Sequence, residues 1–190
     1  MVADQKRKLR RVMRARRRAL PEHQRRTWDR QIAFHLMASQ AWAQAHVLLA
    51  YHAMPDEVGT SAIVEAALQQ NKTLLLPRCQ AGGRHFEPVP VQDLTQELIP
   101  GPFPDLWEPA PELVAFPDDR IIDLVLVPGL AFDAHGGRLG FGAGMYDRFL
   151  AGATIGHSVA LAYGAQIVPR VPVDHRDRAP DRVLCENGWL

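Results

Sequence analysis

The chain of 190 residues has only two cysteines, Cys79 and Cys185, at no metal-like spacing. A disulfide framework needs more, so both are read as reduced thiols of a cytoplasmic protein. Lysine is scarce too, with Lys6, Lys8 and Lys72 the only three. None completes a G-x-x-x-x-G-K-[ST] pattern, which excludes the P-loop solution to phosphate binding. No apolar run approaches the roughly 20 residues of a membrane span. The basic N-terminus lacks the apolar core and cleavage site of a secretory signal. No repeat, low-complexity tract or linker divides the chain, so residues 1–190 are read as one domain with a sizeable core.

Charge is nearly balanced at +1 but unevenly spread, because residues 1–30 carry twelve Lys and Arg against three acids. That asymmetry points to a basic element serving an acidic ligand, or to a nucleic-acid arm. Residues 4–19 read as a helix, with Leu9, Val12, Met13 and Leu20 in an i, i+3, i+4 rhythm. Lys6, Arg10 and Arg14 share one of its faces. Arg16, Arg17 and Arg18 read as a solvated basic surface. A second helix is expected over about 22–41, opened by Pro21 and buried through Trp28, Ile32 and Leu36.

Short apolar runs at 47–51, 73–77, 123–128, 158–163 and 181–186 read as strands. Thr60 is placed to cap a helix reaching Gln70. The proline- and glycine-rich stretch 79–120 reads as loops with one strand near 85–89. Strands alternating with helices predict an α/β fold with a mainly parallel sheet covered on both faces.

The densest motif is RLGFGAGMYDRF, residues 138–149. A strand, a glycine-rich loop and a helix start follow one another, an order that offers backbone amides to an anion. Asp147, in the first helical turn, is placed to offer a carboxylate to magnesium. The dinucleotide fingerprint fails, since Met145 stands where its third glycine belongs. On spacing alone a flexible surface turn, with Asp147 as a helix-start charge, is the other reading.

Residues 127–150, VPGLAFDAHGGRLGFGAGMYDRFL, resemble the signature of the 5-formyltetrahydrofolate cyclo-ligase family, also called 5,10-methenyltetrahydrofolate synthetases. That signature is a strand ending in V-P-G, then A-F-D, then R-L-G-x-G-x-G-Y-Y-D. KRKLR (6–10), MPDEVGT (54–60), WEPAP (107–111) and the run 162–188 are similar to further family segments. The resemblance implies a three-layer α/β/α fold like that of ribose-phosphate isomerases and CoA transferases. It also implies a reaction, in which ATP and Mg2+ drive closure of 5-formyltetrahydrofolate to 5,10-methenyltetrahydrofolate, releasing ADP and phosphate. The formyl oxygen is phosphorylated, N10 attacks the activated carbon, and phosphate leaves.

Carried over residue by residue, the resemblance assigns ATP to Lys6, Arg7, Lys8, Leu9 and Arg10. It assigns ATP also to Arg138, Leu139, Gly140, Phe141, Gly142, Ala143, Gly144, Met145 and Tyr146. Arg138 and Tyr146 are the expected catalytic pair. His52, Glu57 and Trp107, with Phe141 to Met145, are the expected folate contacts, although a core tryptophan is the other reading of Trp107. Asp147 and Asp177 are the expected magnesium-linked acids. His135, His157 and His175 show no ligand spacing. The expected partner is a small folate, mono- or polyglutamylated, bound by a cytoplasmic monomer with neither nucleic acid nor membrane. RNA binding by the N-terminal helix and an ATP-independent sugar-phosphate isomerase are the competing readings. Met145, where the family usually has tyrosine, is the main departure.

Overall fold

The computed structural model describes residues 2–190. Helix α1 (Val2–Arg18) opens the chain, followed by α2 (Glu22–Met37) and α3 (Gln40–Gln44). The single helix expected over 22–41 is broken at Ser39. Its Oγ accepts from the Trp42 amide at 3.2 Å and donates to the Leu36 carbonyl at 2.6 Å, ending one helix and starting the next. Strand β1 (Val47–Leu49), helix α4 (Ser61–Gln69) and strand β2 (Thr73–Cys79) come next. Thr60 does stand at the α4 N-cap, but its hydroxyl bonds the Tyr51 carbonyl at 2.6 Å instead of a helix amide. The proline-rich middle forms β3 (Phe86–Pro90) and a two-stranded ribbon of β4 (Leu98–Pro100) and β5 (Trp107–Pro109). Pro88 and Pro90 are tolerated because β3 is an edge strand. Then follow β6 (Ile122–Val127), the short pair β7 (Ala131–Phe132) and β8 (Arg138–Leu139), α5 (Met145–Gly152), β9 (Ile155–Leu161), β10 (Arg182–Cys185) and β11 (Gly188–Trp189).

The main sheet runs β11-β10-β9-β6-β1-β2-β3. Its five inner strands are parallel, and an antiparallel strand closes each edge. Alternation along β6 divides the core. Leu124 and Leu126 pack with Ile32, Leu36, Trp42, Ile63 and Val64 of α2, α3 and α4. Val125 and Val127 pack on the other face with Phe86, Phe132, Tyr146 and Phe149, partly from α5. The result is three layers, as expected from strands buried on both sides.

From β1 the chain steps to β2 on one side and later to β6 on the other. The β1–β6 boundary is therefore the switch point of the sheet, where open α/β folds leave a crevice at the strand carboxyl ends. Helix α1 crosses that end of the sheet. Arg17 reaches the Gly129 carbonyl after β6, and Arg16 the Ala165 carbonyl after β9. Its buried residues are Lys6, Met13 and Arg17, while Val12 is 49% exposed. The expected apolar stripe is thus wrong at Val12, and Arg17 is no surface charge. The helix packs a largely cationic face inward because that face meets acids and carbonyls.

Candidate active site

The segment after β1 is held by its own polar groups. Tyr51 Oη donates to the Val58 carbonyl at 3.1 Å, and Glu57 Oε2 accepts the Met54 amide at 3.1 Å. Tyr163 Oη lies 2.8 Å from Asp29 Oδ1 and 2.9 Å from the Glu57 carbonyl. Glu57 is thereby fixed while 6% exposed. Burial pushes its carboxyl up to about 7, against the opposing pull of the Arg17 charge and the Met54 amide. An acid titrating near neutrality beside a crevice suits the recognition of ring N–H and amino donors.

The turn after β6 explains the V-P-G motif. A Cβ on Gly129 would stand 2.6 Å from the Phe132 ring, so only glycine fits. Phe132 leads into the β7–β8 pair, which delivers Arg138 to the crevice. The loop 140–144 then turns into α5 with Gly142 at φ +121° and Gly144 at φ +68°, a region that penalises any Cβ. Gly144 is the N-cap, so the first amides of α5 face outward without intrahelical partners. Arg10 Nε donates to the Gly140 carbonyl at 2.9 Å, and Arg14 Nη2 to Phe141 at 3.1 Å. Arg148 braces the far side through the Ala143 and Arg84 carbonyls. The loop is a braced cradle, not a free surface turn.

Arg138 is 5% exposed, and its Nη2 lies 2.5 Å from Asp147 Oδ1, which also accepts the Arg178 amide at 3.0 Å. The hydroxyl of Tyr146, one residue earlier, is buried. Among the described residues neither it nor His52 Nδ1 has a hydrogen-bond partner. Burial, then the Glu57 charge, raises the Tyr146 phenol against the pull of Arg138. Burial lowers the His52 imidazole, which favours its neutral form. The orphaned Tyr146 hydroxyl, close enough to feel the Arg138 charge, marks a place built to meet something polar.

On the α1 side, Lys6 Nζ contacts Asp174 Oδ2 at 2.8 Å and Asp177 at 2.8 and 2.6 Å. Both oxygens of Asp177 are engaged by this ammonium. Among the described residues no group of three His, Cys, Asp or Glu side chains is arranged to hold a metal. Asp147 makes its contacts to Arg138 and Arg178 through Oδ1, which leaves Oδ2 to fit a magnesium ion completed by phosphate oxygens and water, while Asp177, the other expected magnesium-linked acid, is bonded to Lys6 in this structure.

Cavities open at both ends of the glycine loop. One of about 430 Å3 is walled by Arg7, Arg10, Arg11, Arg14, Arg18 and Phe141. The other, about 480 Å3, includes Phe86, Phe116, Phe149, Met145, Arg120 and Arg148 in its walls. The first suits a polyanion; the second offers aromatic walls with both acids, Glu87 and Asp118, and arginines at its edge, and Glu57 lines neither.

A model described as the 5-formyltetrahydrofolate cyclo-ligase family matches residues 2–186. The chain belongs to the 5-formyltetrahydrofolate cyclo-ligase family. The Mus musculus 5-formyltetrahydrofolate cyclo-ligase is 30% identical, over 98% of this chain and 96% of that protein. The Haemophilus influenzae protein of the same name is 30% identical over 88% of each. The structure of Aquifex aeolicus 5,10-methenyltetrahydrofolate synthetase superposes with a TM-score of 0.82 at 29% identity, covering 97% of this chain and 91% of that one.

Membership makes this chain an enzyme, a ligase of folate one-carbon metabolism. The cyclo-ligase motif residues are now placed in space. Lys6, Arg10, Glu57, Arg138, Tyr146 and Asp147 gather around the strand carboxyl ends. Trp107 is 45% exposed on the β4–β5 ribbon, so it is no core tryptophan, and it lines neither cavity. Arg7 and Lys8 are exposed and pair with Asp4, although Arg7 also borders the arginine-walled cavity. Asp174, the second partner of Lys6, was not legible in the motif.

Tyr146→Phe separates stability from function at this candidate site. Removing an orphaned buried hydroxyl is expected to leave stability unchanged or raised by about 1 kcal/mol. Turnover is expected to fall about tenfold to hundredfold, the worth of one hydrogen bond to a charged oxygen. Thermal denaturation and kcat on the one variant decide, and a stability loss with normal turnover refutes the assignment.

Proposed function

We propose that the protein converts 5-formyltetrahydrofolate to 5,10-methenyltetrahydrofolate with consumption of ATP in the presence of Mg2+. The observation that carries this reading is the braced glycine loop with an arginine-walled groove at one end and an aromatic cavity at the other. The formyl oxygen attacks the γ-phosphorus and ADP leaves. N10 then adds to the activated formyl carbon, the C–O bond to phosphate breaks, and the N10 proton is released. An amide-like oxygen leaves poorly until phosphorylated, so catalysis is positioning and charge neutralisation.

Each residue has a part in that scheme. Arg10 and the outward amides of α5 receive phosphate oxygens. Lys6 holds the 174–177 loop against α1. Arg138 neutralises charge on the transferred group while Asp147 orients it, and Asp147 offers its remaining oxygen to magnesium. Magnesium, when bound, draws charge from the phosphate oxygens. Tyr146 donates its buried hydroxyl to the reacting oxygen, and Glu57 accepts from the pterin donors.

Incubation with 5-formyltetrahydrofolate and Mg-ATP tests the reading through the near-ultraviolet methenyl chromophore. Chromophore that needs ATP supports it, and none from folded protein overturns it. An isomerase would need no ATP. RNA binding would instead give a salt-sensitive shift of an RNA probe.

The two-ended loop gives a second test. Met145 lines the aromatic cavity and not the arginine groove. Met145→Tyr is therefore expected to change KM for the folate about threefold to tenfold, with KM for ATP nearly unmoved. A shift confined to ATP places the side chain on the nucleotide side and refutes this division.

A further inference from the structure

Arg17 plays no part in the scheme above, yet it is 2% exposed and stands over the β1–β6 crevice. Its Nε is 3.2 Å from Asp56 Oδ2 and its Nη2 3.0 Å from Asp56 Oδ1, a two-pronged fork. Its Nη1 lies 3.8 Å from Glu57 Oε1 and 3.4 Å from the Gly129 carbonyl. Its Cζ is 5.3 Å from the centroid of the Phe141 ring. One guanidinium thus touches the segment after β1, the turn after β6 and the glycine loop.

We propose that Arg17 is a positioning residue, which fixes the acid that meets the folate against the loop that meets the nucleotide. The inference rests on the cyclo-ligase reading for what Glu57 and the loop bind, but not for the contacts themselves. A buried cation persists only where it is well paired, and this one is paired to both sides of the crevice. Lysine could not replace it, because the site uses the planar fork toward Asp56 and the flat face toward Phe141 together.

Arg17 also sets the charge of Glu57. The groups acting on Glu57 are Arg17 from α1 and Asp56 from its own loop, with Tyr51 after β1 and Tyr146 on α5 sensing its charge in turn. Arg17 is the only cation among them. Burial raises the Glu57 carboxyl to about 7, and Arg17 limits that rise. Without Arg17 the carboxyl protonates at still higher pH, and at pH 7 the pterin donors more often meet a neutral carboxyl, a weaker acceptor.

Arg17→Gln and Arg17→Lys test the proposal. Carboxyl NMR of the substrate-free protein reads Glu57 directly. In Arg17→Gln its midpoint is expected to rise by about one unit or more, as when an opposite charge is withdrawn from close range. In Arg17→Lys it is expected to stay near the wild-type value. In turnover, Arg17→Gln is expected to raise folate KM about fivefold or more near pH 7, a deficit that shrinks as pH climbs past the new midpoint. Arg17→Lys keeps the pH break but lowers kcat, since an ammonium cannot fork Asp56 and stack on Phe141.

An unmoved Glu57 midpoint in Arg17→Gln overturns the proposal, and so does a loss equal at every pH, which is what a merely structural role gives. Should Arg17→Gln fail to fold, Arg17→Lys decides, and wild-type kcat and KM in that variant refute the role. An inactive wild type would sink the cyclo-ligase reading while leaving the NMR result to judge Arg17.

Discussion

Arg138→Gln is expected to cut kcat by about a hundredfold to a thousandfold, the range for removing one preorganised group from developing transition-state charge. The same change should also weaken the fold, for a separate reason. Arg138 is 5% exposed and its partner Asp147 keeps 21% of its side chain in solvent. Removing the cation leaves a half-buried carboxylate whose Oδ1 retains only the Arg178 amide. Breaking a fully buried pair costs about 3–5 kcal/mol, and the partial exposure of Asp147 brings the expectation down to about 1–2 kcal/mol.

Adding Asp147→Asn separates the two effects. The double variant removes the stranded charge, so it should recover most of the lost stability, with a coupling energy of about 1 kcal/mol. It should recover none of the turnover, since the cation is still missing and the oxygen proposed for magnesium is now gone as well. Denaturant midpoints and kcat on the two singles and the double complete the cycle. Recovery of activity in the double would mean that the pair only holds the β8 end in place.

The sequence made this site visible where the chemistry is local. Glycines at 140, 142 and 144 followed by an acid could be read as a strand-to-helix cradle, because backbone conformation is set by neighbouring residues. The strand read at 123–128 was equally plain, since Leu124 to Val127 form the unbroken apolar run of a strand buried on both faces. What escaped was pairing across long stretches of chain. Lys6 meets Asp174 and Asp177 from 168 and 171 residues away, and no local pattern announces that.

Arg17 looked like one member of a solvated run, because charge runs usually are. A signal was nevertheless present. Positions 6, 10, 13 and 17 lie on one helical face, and two of them were already expected to meet a ligand. The break of the 22–41 helix was legible in principle too, since Ser39 is a good N-cap residue inside an otherwise helical pattern.

Lys6→Met is expected to loosen α1 from the 174–177 loop at neutral pH and to do so less and less as the solution becomes acidic. In the wild type, burial alone would lower the Lys6 pKa, but its hydrogen bonds to Asp174 and Asp177 outweigh this and raise it. The bond to Lys6, then the Arg176 amide, hold Asp174 far below the ordinary carboxylate range. A raised lysine contributes stability below its ordinary pKa and loses it as pH climbs through the folded value. A depressed aspartate contributes stability above its ordinary pKa and loses it as pH falls through the folded value. The bridge is therefore fully formed between about pH 4 and pH 10. In Lys6→Met the two carboxylates keep only the exposed Arg176 side chain, 3.4 Å from Asp174 Oδ1, as a nearby cation, so at least one takes up a proton more readily and relieves the repulsion on acidification. Melting temperatures of the two proteins should differ by several degrees at pH 7 and begin to draw together as pH falls below about 4, with the variant's fall in acid the shallower. Turnover should drop as well, because the same loop carries the Arg178 amide to Asp147. A constant gap in melting temperature from pH 7 to pH 3 would show that Lys6 contributes through its buried methylenes alone, and that the two aspartates do not depend on its charge.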